Sequence, residues 1–393
     1  MDIRSQFPIL NQQVHGKRLV YLDSAATALK PISVVEAERA YELEYCANIH
    51  RGVHYLSEKA TLAYEQVRTQ AQKFLNARSE REIIFTPGTT AGINLVAYSY
   101  GRKFLKSGDE IWISSLEHHS NIVPWQILCQ EIGCVLKVIP LGHSGELEFC
   151  KNSKLLAFTY ASNALGIFNP VEDWIKQAKA HNMTVLIDAA QAAPHIKLDV
   201  QALDCDFLVF SGHKIYGPTG TGILYGKEAL LNSMPPYQTG GDMIEQVTFE
   251  KTTYAKLPAK FEAGTPNISG VIGLGAAIDF LGGLPAIASA KAGEVSSAKQ
   301  RLLEVPGIRL FGDTENKLPI FSFLLGNIHP HDISSIIDQE GVAVRAGHLC
   351  TQPLLKLLGV PALVRASLGA YNTSEDIDAL VSALFKVKQV FRC

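Results

Sequence analysis

No stretch of 18 apolar residues occurs in this chain, so nothing in it reads as a membrane span. The start, MDIRSQFPIL, lacks the basic stretch and apolar core of a secretory leader, and a cytoplasmic location is expected. Lysines and arginines form no cluster and the net charge is −2, which excludes a polyanion track and a nucleic-acid partner. Charged residues are scarce, at 19%, while 47% of the 393 residues are apolar, which excludes a disordered chain and leaves a sizeable core. There are no internal repeats, low-complexity tracts or long linkers. The seven cysteines, at 46, 129, 134, 150, 205, 350 and 393, form an odd, scattered set without CxxC or zinc spacing. No metal is expected, and free thiols in a reducing compartment are. What remains is an enzyme-like protein with a small-molecule ligand.

Apolar runs at 82–86, 109–115, 134–140, 154–160, 184–188, 206–210 and 222–226 alternate with helical patterns. The periodicity predicts helices over 60–77, with Tyr64, Val67, Ala71, Phe74 and Leu75 on one face, over 88–101 and near 121–132. Runs this continuously apolar imply a sheet buried on both faces, hence mostly parallel. Ligands then collect at the carboxyl ends of strands, and Thr86, Asn163, Asp188 and Ser211 stand at or just past such ends. The segment 141–153 is too short for a helical crossover, so a looped or antiparallel connection is expected there. After about 265 the chain changes character. A small-residue helix over 264–283 precedes strands at 318–325 and 342–345 and helices at 331–339 and 373–389. The last of these begins with a capping box from Thr373 to Asp376 and has a core face of Ile377, Leu380, Val381, Leu384 and Val387. The fold expected is α/β: a large, mostly parallel seven-stranded domain over 21–265, a connecting helix over 266–290, and a smaller α+β domain over 291–393 that residues 1–20 join.

Two motifs fail on inspection. Gly217–Gly222 approaches a phosphate-binding loop, but Ile223 stands where lysine is required, so it reads as a turn into a strand. Gly142–Gly145 resembles a nucleophile elbow, but Glu146 holds the place of the second glycine. Lys214, in FSGHKIYGPTG, is harder to set aside. A lysine at the end of an apolar strand is costly unless paired or chemically used. One use is an imine to an aldehyde cofactor, because a desolvated amine gives up its proton more readily. Such a cofactor, of which pyridoxal 5'-phosphate is the obvious example, needs a partner for its ring nitrogen, donors to its phosphate and a clamp on its ring. Asp188, three residues before Gln191, offers the carboxylate. Ser211, His213 and the helix start at Thr89 and Thr90 offer phosphate donors. His118 offers a ring to stack. Taken singly, His118 and His119 read as loop histidines; the ordered set Asp188, Gln191, Ser211, His213, Lys214 is harder to dismiss.

The segments LDSAATALKP (22–31), IHRGVHYLS (49–57), EHHSNIVPWQ (117–126), SGHKIYGPTGTGILYG (211–226), FEAGTPNISGVIGLGAAI (261–278) and VRAGHLCTQPLL (344–355) resemble the cysteine desulfurases. These are class V aminotransferase-family members among the fold-type I pyridoxal 5'-phosphate enzymes. The likeness covers nearly the whole chain and is nearest to the short-loop group that includes cysteine sulfinate desulfinase. It implies pyridoxal 5'-phosphate as cofactor, Lys214 as the Schiff-base lysine, Asp188 as the ring-nitrogen partner, Gln191 at the ring hydroxyl and His118 stacked on the ring. Thr89, Thr90, Ser211 and His213 fall at phosphate positions. Thr265 resembles a residue that reaches the other subunit's cofactor, which implies a homodimer.

Cys350 sits in a polar, glycine-containing loop beside His348 rather than in an apolar run. The resemblance makes it the thiol that takes sulfur from substrate and carries the persulfide. Arg365 resembles the arginine that binds the substrate carboxylate, a task its fork of donors suits. Asn163, Arg345 and His348 are expected beside the substrate. The implied reaction turns L-cysteine into L-alanine, with selenocysteine or cysteine sulfinate as further substrates, and passes sulfur to an acceptor protein. Leu349 stands where relatives usually carry histidine or glutamine, Ala189 replaces a frequent glycine, and 141–153 and 283–306 look trimmed. An aminotransferase on the same fold, or a sulfur-relay scaffold, are the alternatives. The first would need no thiol.

Overall fold

A computed structural model describes residues 3–143, 145–284 and 287–392, with the backbone alone for 287–292 and 294. Ser144 of the Gly142–Gly145 run, Cys393, and residues 285 and 286 of the trimmed segment lie outside it. The chain divides into two compact units: Ser33–Tyr160 with Pro170–Gly283, and Met1–Ile32 with Ala161–Asn169 and Leu284–Cys393.

The main sheet of the first unit has seven strands: β1 (Ile83–Thr86), β2 (Glu110–Ser114), β3 (Val135–Ile139), β4 (Ser153–Thr159), β5 (Thr184–Asp188), β6 (Phe207–Ser211) and β7 (Gly222–Gly226). Their order in the sheet is β1-β7-β6-β5-β4-β2-β3. β7 runs antiparallel to both neighbours and every other pairing is parallel. β1, β6 and β7 are buried along their whole lengths, as strands sandwiched between helices must be. The core lies in two clusters, one containing Tyr64, Phe158, Ile187 and Phe210, the other Ile113, Trp125, Leu186 and Val209. β3 and β4 flank β2, both parallel to it, so the antiparallel alternative does not occur, and the described residues between them form no helix.

The helix expected over 60–77 begins five residues earlier, at Tyr55, where His54 accepts from the Ser57 N–H. The helix expected over 88–101 is α-helical only over Thr89–Leu95; Val96–Gly101 widens into a π-helix. The small-residue helix Ile268–Gly282 packs on Tyr55–Leu75, and its glycines explain how close the two come. A Cβ on Gly275 would stand 2.6 Å from Val67 Cγ2.

The second unit is built on β8 (Ile308–Phe311), β9 (Ile320–Leu325), β10 (Arg345–Gly347) and β11 (Leu363–Ser367), antiparallel in the order β8-β9-β11-β10. The strand expected over 342–345 is two pieces. Val342–Ala343 pairs in parallel with Val20–Tyr21, and the chain then turns into β10 at Arg345. The last helix, Ser374–Phe391, has the expected capping box, and all five expected apolar residues are buried. Each contributes about 1.5–3 kcal/mol of apolar burial.

Candidate active site

In the first unit, strand ends and one helix start bring four expected residues together. Asp188 ends β5 and is buried. Its Oδ1 accepts from the Ala190 N–H at 2.9 Å. Burial pushes its pKa above the ordinary value, opposed first by the charge of Lys214 and then by the Ala190 N–H. Lys214 is half-buried in the turn Gly212–Lys214 that follows β6. Ser211, at the end of β6, accepts from the Thr89 N–H at 2.9 Å and lies 2.8 Å from Thr89 Oγ1. The backbone makes room there. Gly222 lies opposite Ser211, and a Cβ on it would come within 2.6 Å of Gly88 Cα. Gly88 opens the helix with φ 150°, in the region that favours glycine. Gly217–Gly222 is a turn into β7, as its sequence predicts, with Thr221 Oγ1 donating to the Pro218 carbonyl at 2.9 Å.

Thr90 and His118 are linked through Ser120, which the sequence analysis did not single out. Thr90 Oγ1 is 2.6 Å from Ser120 Oγ, and the Ser120 N–H donates to His118 Nδ1 at 3.1 Å. Nδ1 is thereby an acceptor, which leaves Nε2 to carry the ring proton of the neutral imidazole. Glu117 was missed as well. It is wholly buried and accepts from Ser114 Oγ, from the Thr159 N–H at 2.8 Å and from Asn121 Nδ2 at 2.6 Å. Burial pushes its carboxyl up to about 8 against those three donors, and Asp188 adds to the push. Gln191 is buried, His213 half-buried and Thr265 exposed.

In the second unit, Cys350 lies half-buried in the four residues between β10 and the helix Gln352–Leu357. Leu349 and Cys350 both take left-handed conformations, with φ 55° and 56°. Two such residues in succession, neither of them glycine, store about 1–2 kcal/mol each. The loop is tied down. Leu349 is 3% exposed, and its carbonyl accepts from Asn163 Nδ2 at 2.7 Å. His348 accepts at its carbonyl from the Thr351 N–H and meets Gln352 Nε2 at Nδ1, 3.4 Å away. Arg365, on β11, is buried. Its Nη1 donates to the Asn163 carbonyl at 2.9 Å and its Nη2 to Asp23 Oδ1 at 3.0 Å, while Nε is buried with no partner. Arg345 lies directly opposite Arg365 across the strands and is exposed. Asp23 is a further residue the motif reading did not pick out. Its neighbours in LDSAATALKP drew attention as a pattern, but only the fold supplies its partner.

A class-V aminotransferase model matches residues 20–380. The cysteine desulfurase of Salmonella agona (strain SL483) is 50% identical over 398 residues, covering 99% of this chain and 98% of the relative. The crystal structure of the Escherichia coli cysteine desulfurase CsdA, in S-sulfonic acid form, superposes with a TM-score of 0.91 at 39% identity, covering 98% of each chain. The apo cysteine desulfurase of Thermococcus onnurineus NA1 gives 0.92 at 36% identity, covering 99% of this chain and 98% of that one. The chain belongs to the class-V aminotransferase family, within its cysteine desulfurases.

That family implies pyridoxal 5'-phosphate, and the residues present fit it. The buried carboxyl of Asp188 suits a protonated ring nitrogen, the Lys214 amine an aldehyde, and the cradle of Gly88, Thr89 and Ser211 an anion. No helix among the described residues is long and apolar enough to cross a membrane.

Proposed function

We propose that this protein is a pyridoxal 5'-phosphate-dependent cysteine desulfurase that converts L-cysteine to L-alanine and carries the sulfur on Cys350. The bound cofactor supplies an aldehyde that condenses with an amine and a ring that stores the electron pair of a substrate α-carbon. Lys214 would hold the aldehyde through Nζ and, when its amine is free, would take the proton from the substrate α-carbon. Asp188 keeps the proton on the ring nitrogen. Gln191 would hold the ring hydroxyl and His118 would clamp the ring, its Nδ1 fixed by the Ser120 N–H. Thr89, Thr90, Ser211 and His213 hold the phosphate, and Thr265 reaches the phosphate of a second copy, making the working form a homodimer. Arg365 receives the substrate carboxylate. Asn163, Arg345 and His348 line the substrate's surroundings.

Cys350 Sγ acts as a thiolate on the substrate sulfur. An S–S bond forms as the substrate's C–S bond breaks, the substrate carbon takes up a proton, and alanine and a Cys350 persulfide result. The persulfide then passes to an acceptor thiol on a partner protein. Cysteine sulfinate and selenocysteine, which share the amine and carboxylate, are further substrates. Among the described residues the six cysteines are free thiols, which supports a reducing, cytoplasmic setting.

The observation that carries the reading is Asp188, a carboxyl buried at a strand end with the charge of Lys214 as its main electrostatic support. The test is spectroscopic and chemical. The protein with cofactor shows an absorbance band near ~420 nm and releases alanine from cysteine. Lys214→Ala loses the band. Cys350→Ala keeps the band and releases no alanine; alanine release at the original rate would exclude the thiol and favour an aminotransferase.

A further inference from the structure

Arg365 and Arg345 face each other across antiparallel strands, an arrangement that two like charges disfavour. The compensating charge is Asp23. It follows the strand Val20–Tyr21 and forms a parallel bridge to Ser367, two residues beyond Arg365 on β11. That bridge sets its carboxylate on Nη2 of Arg365 at 3.0 Å. Nη1 is fixed by the Asn163 carbonyl, and Nε is buried and unmatched. A guanidinium pinned at both Nη atoms cannot swing, so its three remaining N–H groups keep fixed directions.

We propose that Asp23 sets both the orientation and the strength of the carboxylate site on Arg365: it pins the guanidinium in one orientation, and it competes with an incoming carboxylate for the same positive charge. The proposal rests on Arg365 being the carboxylate arginine. Asp23 is faced by Arg365 on β11, by Arg345 on β10 and by Tyr21 on its own segment, and Arg365 in turn by Cys350. Burial, with Asp23 as the next cause, pushes the Tyr21 phenol up to about 12, so it stays neutral. Burial also raises the Asp23 carboxyl against the pull of both arginines. Asp23 therefore takes a proton from solvent at a higher pH than an ordinary aspartate. Its competition then ends, and a carboxylate on Arg365 is held more tightly. At neutral pH the competition keeps the product alanine from lingering.

The test is equilibrium binding, without turnover, of L-alanine and of ethylamine to the cofactor-loaded protein. Ethylamine is alanine without its carboxylate, so the ratio of the two affinities isolates the carboxylate. Asp23→Asn keeps an oxygen for Nη2 and removes the charge, and the ratio should rise about 5–10-fold. Asp23→Ala removes the pin as well, and the ratio should fall below that of Asp23→Asn. In the unsubstituted protein the ratio should rise as pH is lowered through the raised range of the Asp23 carboxyl toward that of an ordinary aspartate, and in Asp23→Asn it should be flat. An unchanged ratio in Asp23→Asn overturns the proposal. Should that variant fail to fold, a ratio in the unsubstituted protein that stays flat as pH is lowered all the way to the ordinary aspartate range overturns it instead. Arg365→Gln should collapse the ratio; if it does not, the assignment of Arg365 itself is wrong, a failure distinct from that of Asp23.

Discussion

Glu117 shows how much a single carboxyl owes to where it is buried. Three donors converge on it, yet desolvation outweighs them and lifts its pKa from 4.5 to about 8. The folded protein therefore keeps a proton there that the unfolded chain has already lost. The stabilising contribution of that proton is fully present below pH 4.5 and disappears as pH rises through about 8. Glu117→Gln cannot lose a proton and gives up one of the three hydrogen bonds, so at pH 5 it should be less stable by about 1–3 kcal/mol. The gap to the unsubstituted protein should narrow on raising the pH to 9, as followed by thermal unfolding of both after cofactor removal. A constant gap would mean that Glu117 is ionised throughout. Lys214 and Asp188 were legible in the sequence because their types are costly at the ends of apolar strands. Glu117 and Asp23 were not, because a glutamate or aspartate in a loop looks ordinary until the fold buries it.

The Cys350 loop holds its shape by ties rather than by composition. That it is short was legible in the likeness to the short-loop group, but the two left-handed residues were not, since neither Leu349 nor Cys350 is a type that signals one. Asn163 explains how the strain is held. Its side chain donates to the Leu349 carbonyl while its own backbone carbonyl receives Arg365. Asn163→Ala cuts the first tie and leaves the second in place. It should cost about 1–2 kcal/mol of stability. Sulfur transfer to Cys350 should slow by about tenfold, because a reacting atom is no longer fixed, with alanine affinity changed less than about twofold. Single-turnover persulfide formation beside alanine binding separates the two. Equal losses in both would show that Asn163 acts on the substrate directly. The π-helix at Val96–Gly101 was likewise hidden, since its residues fit a helical period and only hydrogen-bond geometry distinguishes them.

Across the whole molecule, the seven apolar runs announced the main sheet because a strand covered on both faces must be apolar throughout, although the edge strand Val135–Ile139 is largely exposed. The interleaving of the two units was invisible: Ala161–Asn169 belongs with the chain ends although it interrupts the sheet-bearing segments, and no local pattern marks such long-range pairing. The sheet-bearing unit also leaves large apolar side chains in solvent. Val53 is 96% exposed, Tyr55 and Leu62 are each 73% exposed, and Phe249, between the paired strands Ile244–Val247 and Thr252–Tyr254, is fully exposed. An isolated Leu on a surface needs no explanation, but several large residues this bare in one unit suit association. The proposed homodimer accounts for them. Sedimentation should give twice the chain mass, and Leu62→Asp or Phe249→Asp should shift it toward the monomer, since an interfacial charge is poorly tolerated. If Thr265 reaches a second copy's cofactor, the same substitutions should also lower cofactor affinity as the dimer dissociates. Monomers that bind cofactor as tightly as the dimer would remove Thr265 from the site.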